Sequence, residues 1–406
     1  MTVVPRPTVA SFVAAVLAAT LLLAAGCAGP APSGAPGTAT ASASAWMEAD
    51  VAEPGTVTDA APGASNVFCS PCHAQAVTLL FGVIDAPSGL VAVGVEEPPA
   101  HAAAWLSADG RTWQRSDLTG NEGSVAVAGV AISGRIVVVG RDDQGAVSWT
   151  STDGAHWSES TESDSLAGPA GGTGMTSVVG YQGRFIAGGY SDDPAHAVAT
   201  AALWTSSDGL SWARLAVGDP SLSGRHILGL AASDRTLVAV GTTQSETRGT
   251  GVAWSSSDGI TWRDATSAAV AGGIMRDVIA TSRGFAAVGL RANDDGAAAW
   301  TTTDGSSWVA VPDQAVFHLG VTPMRMVSIA ADPDGLVGVG WRSDAGNGSA
   351  VVWRSADGTS WTRDPQLASF SGAEMTGVAS TDVGLVAVGT AGYPDNDTAT
   401  IWVGAP

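Results

Sequence analysis

The sequence predicts an all-β protein built as a single seven-bladed β-propeller whose N-terminal strand completes the last blade. Three observations carry the prediction. A short apolar run ending in glycine recurs seven times, at Gly94, Gly140, Gly189, Gly241, Gly289, Gly340 and Gly389, with spacings of 46 to 52 residues. Fourteen of the fifteen tryptophans fall at fixed places in that repeat, and only Trp341 lies outside it. Six units carry Asp-Gly between two strand-like segments, the pair that supplies positive φ in a tight hairpin.

Each unit reads as four short strands. An apolar segment such as 275–280 comes first, and the glycine-terminated run is the second. A polar loop leads to a third strand centred on Trp105, Trp149, Trp204, Trp254, Trp300, Trp353 or Trp402. The Asp-Gly hairpin then opens a fourth strand that begins near Trp113, Trp157, Trp212, Trp262, Trp308 or Trp361. The seventh unit has no fourth strand after Trp402, whereas Ala45-Trp46-Met47-Glu48, ahead of the first unit, resembles Ser360-Trp361-Thr362-Arg363. Trp46 is therefore expected to close the ring within the final blade.

The region before the repeats has a different composition. Residues 1–26 carry one charge, Arg6, and an apolar run too short to span a bilayer, which is the pattern of an export signal. The run ends in Leu23-Ala24-Ala25-Gly26-Cys27, which resembles a bacterial lipobox with Cys27 as the lipidated residue. Residues 27–44 are almost wholly Ala, Gly, Pro, Ser and Thr. They cannot bury a core and are expected to form a flexible tether, placing the propeller of residues 45–406 on the order of a few nanometres from a membrane. The 18 basic residues are all Arg, against 38 acidic ones, for a net charge of −20. Such a chain has no basic patch for nucleic acid, and its membrane contact is expected through the lipid alone.

The hairpin motif Ser/Thr-x-Asp-Gly-x-x-Trp begins at Ser107, Ser151, Ser206, Ser256, Thr302 and Ser355. It resembles the Asp-box, or bacterial neuraminidase repeat, although the usual box has a residue between Asp and Gly and these six have none. The resemblance implies a propeller with the boxes on outer hairpins, away from any ligand. The residues agree with a structural role: Asp109, Asp153, Asp208, Asp258, Asp304 and Asp357 can accept backbone N–H bonds and cap the turns. Sialidases share the box, and a group of arginines taken up below could mimic their arginine triad, but nothing here supplies a convincing counterpart of their Tyr–Glu nucleophile. Of the three tyrosines, Tyr181 reads as an inter-strand turn residue, and Tyr190 and Tyr393 as members of polar loops.

Candidate binding residues come from counting back from the repeated glycine. This puts Arg276 and Asp277 at the start of the innermost strand of the fifth blade. Arg225 and His226 fall just ahead of the fourth, Arg325 ahead of the sixth and Glu374 ahead of the seventh. Three arginines on adjacent blades could converge on a carboxylate, sulfate or phosphate, or be neutralised by Asp277 and Glu374. The second-to-third loops are acidic, at Glu96-Glu97, Asp142-Asp143, Asp192-Asp193, Asp294-Asp295, Asp344, Asp395 and Asp397, without calcium-ligand spacing, so they read as a solvated rim and no metal is expected. Cys69-Ser70-Pro71-Cys72-His73 reads as a small disulfide between Cys69 and Cys72 in an oxidising compartment. Haem attachment and metal binding are the alternatives at that motif, and no cofactor is expected.

Together these readings describe a lipid-anchored extracytoplasmic module that binds a protein, an envelope glycan or an anionic ligand at the channel mouth. No catalytic residue is assigned. The rival expectation is a sialidase-like glycoside hydrolase using carboxylates on the same face.

Overall fold

The computed structural model describes residues 46–51 and 77–404, apart from residue 98 and segments 121–122, 162, 169–171, 194–197, 216–218, 244–248, 293–295, 321, 345–346 and 393–397. The predicted signal peptide, the tether, Cys27, Cys69 and Cys72 lie outside the described residues, as does Tyr393.

Seven antiparallel sheets form the seven blades. Their innermost strands are Val77–Ala86, Thr173–Tyr181, Gly273–Thr281, Met324–Asp332 and Ala373–Thr381 in blades 1, 3, 5, 6 and 7, with Val125–Ile132 in blade 2 and Arg225–Ala232 in blade 4. Each packs beside its successor, and the strand of blade 7 packs beside that of blade 1, so the ring is closed. The glycine-terminated second strands have neighbours on both faces. Val91, Ala92 and Val93 are fully buried, as are Val137, Val138 and Val139. A continuous apolar run, with no alternation, is what a strand covered on both faces requires.

The third-strand tryptophans are the largest core side chains, all at most 2% exposed. Several indoles also tie the blades to the chain that enters them. Trp204 donates to the Ser165 carbonyl at 2.7 Å, Trp300 to Ala269 at 2.8 Å, and Trp353 to Val316 at 2.9 Å. A buried indole N–H therefore satisfies a carbonyl in the connection between blades, where no ladder partner exists.

The Asp-Gly hairpins are built as their residues suggest. Asp109 Oδ1 accepts from the Arg111 and Thr112 amides at 2.8 and 2.9 Å, while Ser107 Oγ accepts from the Gly110 amide at 2.9 Å. The same pattern recurs at Asp153, Asp208, Asp258, Asp304 and Asp357. The glycines of these turns hold φ between +71° and +79°. Because strands alternate in direction, these hairpins share one face of the ring. The second-to-third and fourth-to-first connections share the other, called here the mouth face.

Closure uses the expected segment and adds a second stitch. Trp46–Glu48 pairs antiparallel with the last strand of blade 7, Trp46 opposite Gly404 and Glu48 opposite Trp402. Trp46 is 6% exposed, and its indole N–H points to Asp364 Oδ2 of blade 6 at 3.5 Å. Asp50–Val51 then runs parallel to Thr112 and Trp113 on the outer edge of blade 1. One short segment thus spans the junction between the last and first blades.

A β-bulge interrupts every innermost strand at the same place. The skipped residues are Phe81, Val127, Thr176, Leu228, Arg276, Val327 and Thr376. Each stands thirteen residues before the repeated glycine of its blade. The bulge explains that glycine. A Cβ on Gly94, Gly140, Gly241, Gly289 or Gly389 would stand 1.9 Å from an innermost-strand carbonyl oxygen, and on Gly189 or Gly340 2.0 or 2.1 Å. Only a residue without a side chain lets the backbones approach so closely.

Candidate functional site

The seven innermost strands surround a central cavity of about 400 Å³. All seven bulge residues line it. They are partly accessible, while the residue before each one, from Leu80 in blade 1 to Met375 in blade 7, is buried. The bulge turns one side chain per blade toward the axis, and a bulge commonly serves to re-aim a side chain next to a site. The ring so formed is apolar at Phe81, Val127, Leu228 and Val327, has threonine at 176 and 376, and has one charged member, Arg276.

The threonines are anchored. Thr176 Oγ1 donates to the Ile227 carbonyl at 2.7 Å and Thr376 Oγ1 to Leu80 at 2.6 Å, each reaching the next blade. Asp277, beside Arg276, does the same at the junction of blades 5 and 6. Its Oδ2 accepts from Ser328 Oγ at 2.9 Å and the Ile329 amide at 3.0 Å, and its Oδ1 accepts from the Val278 amide at 2.8 Å. Burial pushes its carboxyl above the ordinary carboxylate value, opposed by those three donors.

Toward the mouth face the wall becomes polar, with Arg141, Tyr190, Glu374 and Thr390. Arg141 ends the second strand of blade 2, and Tyr190 lies in the second strand of blade 3, opposite Gly174. A Cβ on Gly174 would be 3.2 Å from the Tyr190 hydroxyl and from Arg141 Cβ and Cδ, so this glycine lets the two side chains gather over it. Tyr190 stacks on His226 with ring centroids 5.0 Å apart. Burial raises the Glu97 carboxyl, opposed by the charge of Arg141. On the other side, Arg325 Nη2 reaches Glu374 Oε1 at 3.5 Å and lies over the Trp341 ring at 4.9 Å. Arg325 is 5% and Glu374 9% exposed, which makes them a buried pair.

Several sequence expectations are corrected by this geometry. The three candidate arginines do not converge. Arg276 is in the cavity wall, Arg325 is turned to Glu374 and Trp341, and Arg225 pairs with Asp264 at 2.6 Å and lies over Trp254. Arg225, His226, Arg325 and Glu374 lie inside their innermost strands instead of ahead of them, because the strands begin earlier than the glycine count implies. Tyr190 is a buried strand residue, not part of a polar loop, and Tyr181 ends an innermost strand with its hydroxyl donating to the Ser257 carbonyl at 2.8 Å. Within the acidic rim, Glu96, Glu97, Asp192, Asp193 and Asp344 are strand residues. Asp142 caps its own loop through the Gln144 and Gly145 amides at 2.7 and 2.9 Å.

Arg141 and, apart from Arg276, the members of the bulge ring were not singled out from the sequence. The signal that finds the ring is the thirteen-residue offset from each repeated glycine.

Comparison with known proteins agrees with this architecture. A family model described as the DUF6242 beta propeller domain matches residues 100–275. No curated protein matches the sequence. Among solved structures, the chain is similar to YCF48 bound to D1 peptide, at 13% identity and a TM-score of 0.50, covering 82% of this chain and 93% of that one. It is also similar to a catalytically inactive virginiamycin B lyase from Staphylococcus aureus with quinupristin, at 10% identity and a TM-score of 0.49, covering 81% and 97% of the two chains. For the Trypanosoma rangeli sialidase in complex with the inhibitor DANA the values are 12% and 0.46, covering 80% of this chain and 55% of that one. At 13% identity the likeness to the YCF48 structure is one of fold alone.

Proposed function

We propose that this protein is a lipid-anchored, extracytoplasmic binding module that receives part of its ligand in the central cavity through the mouth face. One observation carries the choice of binding over hydrolysis: both carboxylates in the cavity wall are engaged by the protein itself. Glu374 is held by Arg325, and Asp277 is held by Ser328 and two backbone amides. Glycoside hydrolysis by a carboxylate pair needs an acid and a base or nucleophile facing the same bond. Here the two groups are committed to the seams between blades. The volume suits a small molecule or one protruding group of a larger partner. A solved propeller of similar fold holds a peptide, which supports a protein or peptide as ligand.

The anchor rests on the lipobox ending at Cys27, and the tether of residues 27–44 gives the module reach. The proposed disulfide of Cys69 with Cys72 would pin the segment that enters blade 1.

The test is direct. Envelope glycan fragments and peptides are titrated against the protein while Trp fluorescence is followed, alongside turnover assays on fluorogenic glycosides. Binding without turnover, weakened at least tenfold by Arg141→Ala with Tyr190→Phe, is the expected result. Measurable hydrolysis that is lost in Glu374→Gln or Asp277→Asn would overturn the reading. Replacement of Cys27 by Ser should move the protein from the membrane fraction to the soluble fraction.

A further inference from the structure

The cavity wall balances its own charge, and that decides what can enter it. We infer that the group received in the cavity is uncharged and apolar, about the size of two fused aromatic rings, and sits against Phe81, Val127, Leu228 and Val327. This rests on the binding reading above and goes further, to the chemistry of the ligand.

Among the described residues of the wall, four side chains are charged: Arg141, Arg276, Asp277 and Glu374, two of each sign. Each is engaged inside the protein. Asp277 accepts from the Val278 and Ile329 amides and from Ser328 Oγ, and Glu374 is paired with Arg325. Arg141 and Arg276 also have partners within the protein. An ion entering the cavity would therefore meet no counter-charge that is not already in use, and a buried ion without one is costly to desolvate.

The ring itself favours hydrocarbon. Four of its seven members are apolar, and the hydroxyls of Thr176 and Thr376 give their hydrogens to carbonyls of the next blade. An apolar body gains by leaving water for such a wall. Size follows from the volume. A cavity of about 150 Å³ is enough for benzene, so one of about 400 Å³ has room for a bicyclic body. Toward the mouth the wall carries Arg141, Tyr190 and Thr390, so an uncharged polar group at the outer end of the ligand meets polar side chains.

The same chemistry has two sources, a small molecule or an aromatic side chain on a peptide. Calorimetric titration of the whole protein uses three probes with one body and different charge: naphthylmethanol, naphthoate and naphthylmethylamine as its ammonium ion. Acetyl-Trp-amide is the fourth. The alcohol is expected to bind at least tenfold more tightly than either ion. Tighter binding of the alcohol than of acetyl-Trp-amide points to a small molecule, and the reverse to a side chain.

Val327→Glu places an acid in the ring at a partly accessible position. It should weaken the alcohol at least tenfold and make the ammonium ion the tightest of the three. Phe81→Ala, also at a partly accessible position, should shift the preference at least tenfold toward the larger anthrylmethanol. Ile260→Glu is the control for adsorption to the surface, since Ile260 is 58% exposed on the hairpin face, and it should leave all affinities unchanged. Naphthoate or the ammonium ion binding as tightly as the alcohol overturns the inference. So does an unchanged profile in folded Val327→Glu, or an unchanged size preference in Phe81→Ala. If no probe binds while a glycan or peptide still binds in a manner sensitive to Arg141 and Tyr190, this inference fails and the broader binding reading stands.

Discussion

Replacing Trp46 by Ala tests the closure of the ring most directly. Trp46 lies in a strand of three residues and is separated in sequence from its partner Gly404 by the whole propeller. At 6% exposure it buries nearly its entire side chain. A Trp side chain of about 150–250 Å² at about 25 cal/mol per Å² corresponds to about 4–6 kcal/mol. Alanine retains the part due to its own methyl, so the expected loss is about 3–5 kcal/mol, in line with large-to-small substitutions in cores. The assay is urea denaturation followed by fluorescence, with hydrogen exchange resolving blade 7. Met47→Ala on the same strand is the control, because Met47 is 49% exposed and its loss should stay within about 0.5 kcal/mol. If Trp46→Ala unfolds at the wild-type urea concentration, or if the two variants behave alike, the strand does not close the ring energetically.

Two further outcomes follow from the repeat. Gly289→Ala should cost about 1–3 kcal/mol by overpacking, since the new methyl would meet the Ile274 carbonyl oxygen at 1.9 Å. Gly272→Ala is its control in the same denaturation series: φ there is −73°, nothing lies within 3.4 Å of the added Cβ, and a gain of up to about 1 kcal/mol is expected. In acid, the Asp-Gly turns should lose their contribution. Asp258 is held down to about 2 by the Thr261 and Ile260 amides, and Asp357 to about 2 by the Ser360 and Thr359 amides. A folded-state value below the unfolded one stabilises above pH 4, and that contribution disappears as pH falls from 4 toward 2. The stability gap between wild type and Asp258→Asn with Asp357→Asn, measured by urea midpoints from pH 6 to pH 2, should therefore narrow with acid; a constant gap would refute the assignment. Asp277 acts in the opposite direction, since its value is raised and its carboxylate is disfavoured on folding.

Much of the architecture was legible because it is written periodically. Trp, Asp-Gly and the repeated glycine recur at each blade, so a local preference is restated until it outweighs the ambiguity of any single strand. Closure by Trp46 was legible for the same reason, as a displaced copy of the fourth strand. The stitch of Asp50–Val51 was not, because two residues pairing parallel to a distant edge leave no pattern of their own. The site was harder still. Bulges are set by the twist of the sheet and by packing between blades, and the turned-out residues range from Phe81 to Arg276 without a shared type. Tyr190 was misplaced because a polar, glycine-rich stretch reads as loop, whereas here Gly174 leaves space beside the hydroxyl of a buried ring.

The junction at Trp46 also imposes an order on assembly. Trp46 must wait for Gly404, at the far end of the propeller, before it can pair. Until then blade 7 lacks its outer strand, and contacts of such long range are slow to form. A fragment that stops short of Gly404 is therefore an open arc with an incomplete sheet, prone to edge-to-edge association. The ring closes only when both ends of the propeller are present.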